Sequence, residues 1–134
     1  MRLILLILLS LSLGSIAWAE PREPISDKNA IRAILGEARG EGYAGMYAVA
    51  CAIRNRGSLK GVYGLKASMP DLTPKVAQEA KKAWFNSLSG PDVTLGASFW
   101  EGTRFKKPYW AKKMVETVTI GHQRFYREVS HERG

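Results

Sequence analysis

From Tyr43 to Asn55 the chain is apolar on nearly every face of a helical repeat. Ala44, Met46, Ala48, Val49, Ala50, Cys51, Ala52 and Ile53 leave no polar stripe to meet water. A helix of that kind is stable only when other elements enclose it, so the rest of the domain must be built around it. Its end, Arg54-Asn55-Arg56 before Gly57, returns to the surface.

The stretch that leads into this helix carries the chemistry. Gly36-Glu37-Ala38-Arg39-Gly40-Glu41-Gly42 holds two carboxylates and an arginine bracketed by glycines. Ser26 or Asp27 caps a first helix, which runs to about Ala38 with Ala30, Ile31, Ile34 and Leu35 at helical spacing. Glu37 falls near its C-terminal end, and Gly40 and Gly42 stop the helix and let the backbone turn. A carboxyl at the rim of an apolar helix end is partly desolvated, the setting that a general acid requires. A solvated helix end with a local Glu–Arg pair would account for the same residues.

At 134 residues the chain supports one domain with one modest core. A formal net charge of +8 suits an anionic partner: nucleic acid, a membrane surface or an acidic polymer such as a bacterial wall. The N-terminus narrows the choice. Arg2, the apolar block Leu3 to Leu9 with Leu11, Leu13 and Ile16, and Ala17-Trp18-Ala19 before Glu20 form the three parts of a secretory signal peptide over residues 1–19. An uncleaved anchor is the other reading of that block, and Ser10, Ser12, Gly14 and Ser15 dilute it. Cleavage gives a mature chain from Glu20, exported to periplasm, cell wall or medium, with no stable membrane association and no nucleic-acid partner. Cys51 is the only cysteine, so no internal disulfide forms, and it sits where a small buried hydrophobe fits. His122 and His131 lie far from it, and the spacings make no zinc set, so neither metal nor cofactor is expected.

Residues 20–28, with Pro21 and Pro24, read as an extended lead-in, residues 29–127 as the domain, and residues 128–134 as a polar tail, with fraying from about Arg127. Ser58 to Leu72 carries Gly61, Gly64 and Pro70 and reads as loop with at most a short helical turn. Thr73-Pro74 starts another helix, whose buried stripe is Val76, Ala77, Ala80, Ala83 and Trp84. Gly90-Pro91-Asp92 is a turn, and Gly96 to Glu101 is a short strand or an extended segment lining a groove. Tyr109 to Met114 is a short helical piece, Val115 to Ile120 alternates imperfectly, and Gly121 to Tyr126 closes the domain as a strand. The fold class is therefore mainly α, an α+β domain with a short β element.

Phe99, Trp100, Phe105, Tyr109 and Trp110, interleaved with Arg104, Lys106, Lys107, Lys112 and Lys113, form an aromatic and basic cluster. It fits a groove for a sugar chain or a single-stranded nucleic acid, and equally an aromatic mini-core sheathed by lysines. Export favours sugar. Glu101, directly behind Trp100, either faces the same groove as Glu37, giving a glycosidase carboxylate pair, or pairs with a nearby cation.

Glu37-Ala38-Arg39-Gly40-Glu41, Gly45, Ala48-Val49-Ala50 and Asn55-Arg56 resemble the opening motif of the SleB/CwlJ-type (spore cortex-lytic) cell wall hydrolases. Gly90, Thr94-x-Gly96-Ala97, Pro108-Tyr109-Trp110 and Ile120-Gly121 with Phe125-Tyr126 follow that family's order, so the resemblance spans roughly Asn29 to Arg127. It implies a lysozyme-like helical domain that cleaves peptidoglycan glycan strands by lytic transglycosylation, with Glu37 as the catalytic acid. Glu41, Trp100, Glu101, Tyr109 and Trp110 are then the candidate substrate-binding residues. Where the family commonly has a His two residues after the Gly of its terminal motif, this chain has Gln123, with His122 one residue early, and Ser58 to Leu72 lacks the family's Gln-Phe pair. The rival readings are an amidase or peptidase acting on the stem peptide, and a non-catalytic wall-binding module. Nothing in the residues sets an oligomeric state.

Overall fold

The computed structural model describes residues 24–130. The signal-peptide and cleavage reading, most of the lead-in and the last four residues with His131 lie outside the described residues. The order of elements is α1 (Asp27–Ala38), α2 (Gly42–Arg56), α3 (Pro74–Asn86), β1 (Phe99–Gly102), β2 (Met114–Ile120) and β3 (Gln123–Glu128). Short 3-10 turns occupy Tyr63–Lys66 and Tyr109–Lys113. The class is α+β, mainly helical, and α1 and α3 start where their caps say. Ser26 accepts a hydrogen bond from the Asn29 N–H at 3.2 Å, and Thr73 accepts from the Val76 N–H at 3.3 Å, with Pro74 at the first position of α3.

As its composition requires, α2 is enclosed. Met46, Ala48, Val49, Ala50, Ala52 and Ile53 are fully buried, packed against Ala30, Ala33 and Ile34 of α1, Ala80 and Ala83 of α3, and Phe125 of β3. The alanines let the three helices approach closely. Cys51 is buried with its sulfur 3.8 Å from the Pro91 carbonyl, and burial pushes its thiol up. Trp84 closes the far side of the bundle. Its indole N–H donates to Asp27 at 2.7 Å while the Arg54 guanidinium lies 3.6 Å over its ring. Among the described residues no helix is long and apolar enough to cross a membrane.

The strands form an antiparallel sheet in the order β1-β3-β2, with Phe125 opposite both Trp100 and Val118. The imperfect alternation of β2 has a physical cause. The register shifts between Glu116 and Val118, so Thr117 bulges and its hydroxyl donates to the Thr94 carbonyl at 2.7 Å. Gly121 and His122 make the turn, so β3 begins at Gln123, not at Gly121. It continues through Glu128, where Arg127 and Glu128 pair with Val115 and Met114 instead of fraying.

Several motif residues prove to hold the sheet to the bundle. The Asn55 amide donates to Asp92 at 2.8 Å and to the Ala97 carbonyl at 2.9 Å. Asp92 in turn accepts from the Thr94 hydroxyl at 2.6 Å and the Gly96 N–H at 2.9 Å. Desolvation raises this carboxyl, but those donors outweigh it and hold it below the usual carboxylate range. This knot fixes the chain just before β1, and β1 carries Trp100 and Glu101 to the end of α1.

Candidate active site

The last turn of α1 presents Glu37 at the seam between bundle and sheet. Its Oε1 accepts from the Gly64 backbone N–H at 2.8 Å, and its Oε2 accepts from the Trp100 indole N–H at 3.2 Å. Each carboxyl oxygen is therefore aimed by a donor from a different element. The Gly64 contact depends on a close backbone approach, because a Cβ on Gly64 would meet Glu37 Cγ at 2.6 Å and Glu37 N at 2.7 Å. The loop reading of Ser58 to Leu72 was correct but missed this role. The available signal was Gly36, a glycine inside a helix, which marks a close approach by another segment.

Two cavities meet at Glu37. One, of about 420 Å3, is bounded by Glu41, His122, Gln123 and Arg104; the other, of about 410 Å3, by Arg56, Tyr63, Lys106 and Trp110. Glu37, Trp100, Glu101 and Phe105 line both. Burial lowers the Arg56 guanidinium from its ordinary value and the charge of Glu37 opposes that, which places Arg56 within electrostatic reach of the carboxylate. Tyr63 is 88% exposed at the rim of the second cavity, a ring that sequence reasoning did not single out.

The other carboxylates have separate partners. The local Glu–Arg pair does not form. Arg39 binds Asp71 at 3.2 Å, 32 residues away, and Glu41 binds His122. Glu41 Oε2 accepts from the His122 backbone N–H at 3.1 Å and lies 3.3 Å from Nδ1 of its ring. Gly121, at φ 59°, permits this, since a Cβ there would sit 2.6 Å from the same oxygen. Glu101 is ion-paired with Arg124 and accepts from the Tyr126 hydroxyl at 2.7 Å. Desolvation pushes the Glu101 carboxyl up, yet the bonds from Arg124 and Tyr126 hold it below the usual range. The Tyr126 phenol, desolvated and bonded to that carboxylate, is pushed up to about 12.

Gln123, 6% exposed, donates through Nε2 to the Glu37 carbonyl at 3.0 Å, tying β3 to the end of α1. Its side-chain oxygen is buried without a hydrogen-bond partner among the described residues, and the residue lines the first cavity. The residue in the family's His position thus supports the backbone of Glu37. The aromatic cluster divides. Trp110 lines the second cavity while packing edge-on to Tyr126, with centroids 5.4 Å apart, and tilted on Phe99 at 5.9 Å. It is both mini-core and wall. Tyr109 is not brought to the site: it is 82% exposed and lines neither cavity. In a 3-10 turn neighbouring side chains point about 120° apart, so the inward packing of Trp110 sends Tyr109 outward.

Among the described residues, no three His, Cys, Asp or Glu side chains are grouped as a metal site requires. No family model matches the chain, and no curated protein does. Solved structures do. The catalytic domain of the Bacillus cereus SleB protein is 29% identical, with a TM-score of 0.53, over 75% of this chain and 91% of that one. The catalytic domain of the germination-specific lytic transglycosylase SleB from Bacillus anthracis is 27% identical, with a TM-score of 0.54, over 81% of this chain and all of that one.

Proposed function

The chain belongs to the SleB-type family, and from that premise we propose that it cleaves peptidoglycan glycan strands by lytic transglycosylation, with Glu37 as its single acid–base group. The observation that carries this reading is the unequal treatment of two carboxylates that line the same cavities. Glu37 is aimed into both by one donor on each oxygen, whereas Glu101 is ion-paired with Arg124 and hydrogen-bonded by Tyr126. A glycosidase that uses two carboxylates needs the second free to attack C1 or to activate water. Transglycosylation does not, because the nucleophile belongs to the substrate.

Glu37, protonated, donates to the glycosidic oxygen between N-acetylmuramic acid and N-acetylglucosamine as the C1–O bond breaks and an oxocarbenium-like state develops. The muramic C6 hydroxyl oxygen then bonds to C1, and its proton passes to the Glu37 carboxylate, which restores the acid. Protons balance and no water is consumed. Trp100 and Gly64 keep the carboxyl oriented through both transfers. The hydrophobic leader of residues 1–19 supports action outside the cytoplasm. The test is mass spectrometry of products from purified peptidoglycan. Anhydro-muropeptides support the reading; reducing ends would indicate a hydrolase, free stem peptides an amidase or peptidase, and binding without release a wall-binding module.

A further inference from the structure

A third and larger cavity lies beside the two at Glu37, and nothing in the reaction above uses it. It is an open groove of about 1060 Å3 between the start of α1, the end of α2 with residues 57–61, and β1. It is not separate from the site. Arg56, Gly61 and Phe99 line both this groove and the 410 Å3 cavity, which itself shares Glu37 and Trp100 with the 420 Å3 cavity. The three therefore run in sequence, with Glu37 at the first junction and the long groove on one side only.

Size and chemistry identify the occupant. A pocket for one small molecule holds ~300–1,000 Å3, so a groove of this volume joined to two others exceeds what a single disaccharide needs. Its lining includes Asn29, Ser58, Ser98 and Phe99, and it carries Lys60 as well as Glu128. Hydroxyl and amide groups match sugar hydroxyls and N-acetyl groups, and the exposed lysine matches a carboxylate carried on the strand. We infer that this groove is a distal run of subsites for the same glycan strand, occupied on one side of the cut, so that the enzyme cleaves inside strands and selects long, carboxylate-bearing ones. The inference rests on the proposed glycan-cleaving function.

Glycan fragments of two, four, six and eight sugars with their stem peptides, digested by the mature chain, test it by early-time product masses. Internal cuts, and a kcat/KM at least tenfold higher for eight sugars than for four, are the expected result. Asn29→Trp, which fills the groove from an exposed helix position, and Lys60→Glu should each reduce that ratio at least threefold. Lys81→Glu on the outer face of α3 should leave it unchanged, and melting curves exclude unfolding as the cause. Equal rates at every length, removal of disaccharides one at a time from an end, or an unaltered ratio in both groove variants would overturn the inference while leaving glycan cleavage standing. Absence of glycan products at every length would instead overturn the functional reading and the inference with it.

Discussion

A Cβ on Gly36 would lie 1.8 Å from the carbonyl oxygen of Gly64, so α1 and the Tyr63–Lys66 turn touch backbone to backbone. That approach brings the Gly64 N–H to Glu37 Oε1. It explains why a helix that ends in the candidate acid carries a glycine in its last turns.

Gly36→Ala and Gly64→Ala should each therefore cost about 1–3 kcal/mol of stability or more, as overpacking does where the obstruction is backbone. Turnover of the remaining folded protein should also fall, because Glu37 loses its Gly64 donor. Urea unfolding with activity measured at matched folded concentration checks both, and wild-type stability in either variant contradicts the contact.

Glu37→Gln keeps the shape of the side chain but can neither give nor recover a proton. Activity on purified peptidoglycan should drop at least ~10²–10⁴-fold, the share of a positioned acid–base group. Melting should change little. Near wild-type turnover would remove Glu37 from the mechanism.

Trp100→Phe retains a ring against the core and deletes only the indole donor to Glu37 Oε2. A hydrogen bond of this kind contributes about 0.5–1.5 kcal/mol, so kcat should fall by roughly two- to tenfold with KM less affected. A fall confined to KM would make Trp100 a binding surface and not an orienting one.

Tyr63→Ala separates binding from folding, because the ring is 88% exposed. If it stacks on a sugar, affinity for glycan fragments should weaken by about 1–3 kcal/mol with no change in melting temperature. Titration of the Glu37→Gln variant, which binds without turnover, gives the measurement. Unchanged affinity would place Tyr63 outside the strand's path.

Glu101 sets a pH dependence whose sign follows from its lowered folded-state value. The unfolded carboxyl, at about 4.3, binds protons more readily than the folded one. The pair with Arg124 therefore contributes stability in full above that value, and the contribution is lost as pH falls through the lower folded value. The Tyr126 phenol acts at the other end. Raised to about 12 from an ordinary value of 10.0, it contributes below pH 10.0, and that stability is lost as pH rises toward about 12. Glu101→Gln should flatten the acid limb in thermal melts taken across pH and reduce the alkaline limb only in part, because burial of Tyr126 remains. An acid limb as steep as the wild type's would assign the loss to other carboxylates.

The helices were legible because their signals are local. Ser26, Thr73-Pro74 and the all-apolar run of α2 act through neighbours within a turn or through the plain need for burial. The position of Glu37 in the last turn of α1 was legible for the same reason. The sheet was read less well where pairing overrules composition: the Thr117 bulge and the ladder partners of Arg127 and Glu128 come from strands across the register.

What the sequence by itself determined is the enclosed helix, the acid placed before it and the order of the elements, since each depends on spacing along the chain. What only the tertiary structure decided is which partner each charged group takes. Arg39 goes to Asp71, Glu41 to His122 and Glu101 to Arg124 and Tyr126, while Gly64 and Trp100 hold the Glu37 carboxyl at the cavities. Those choices join residues 23 to 81 positions apart. Charge attraction carries no address along the chain, so only the packing of helix on helix and helix on sheet decides which groups come within reach.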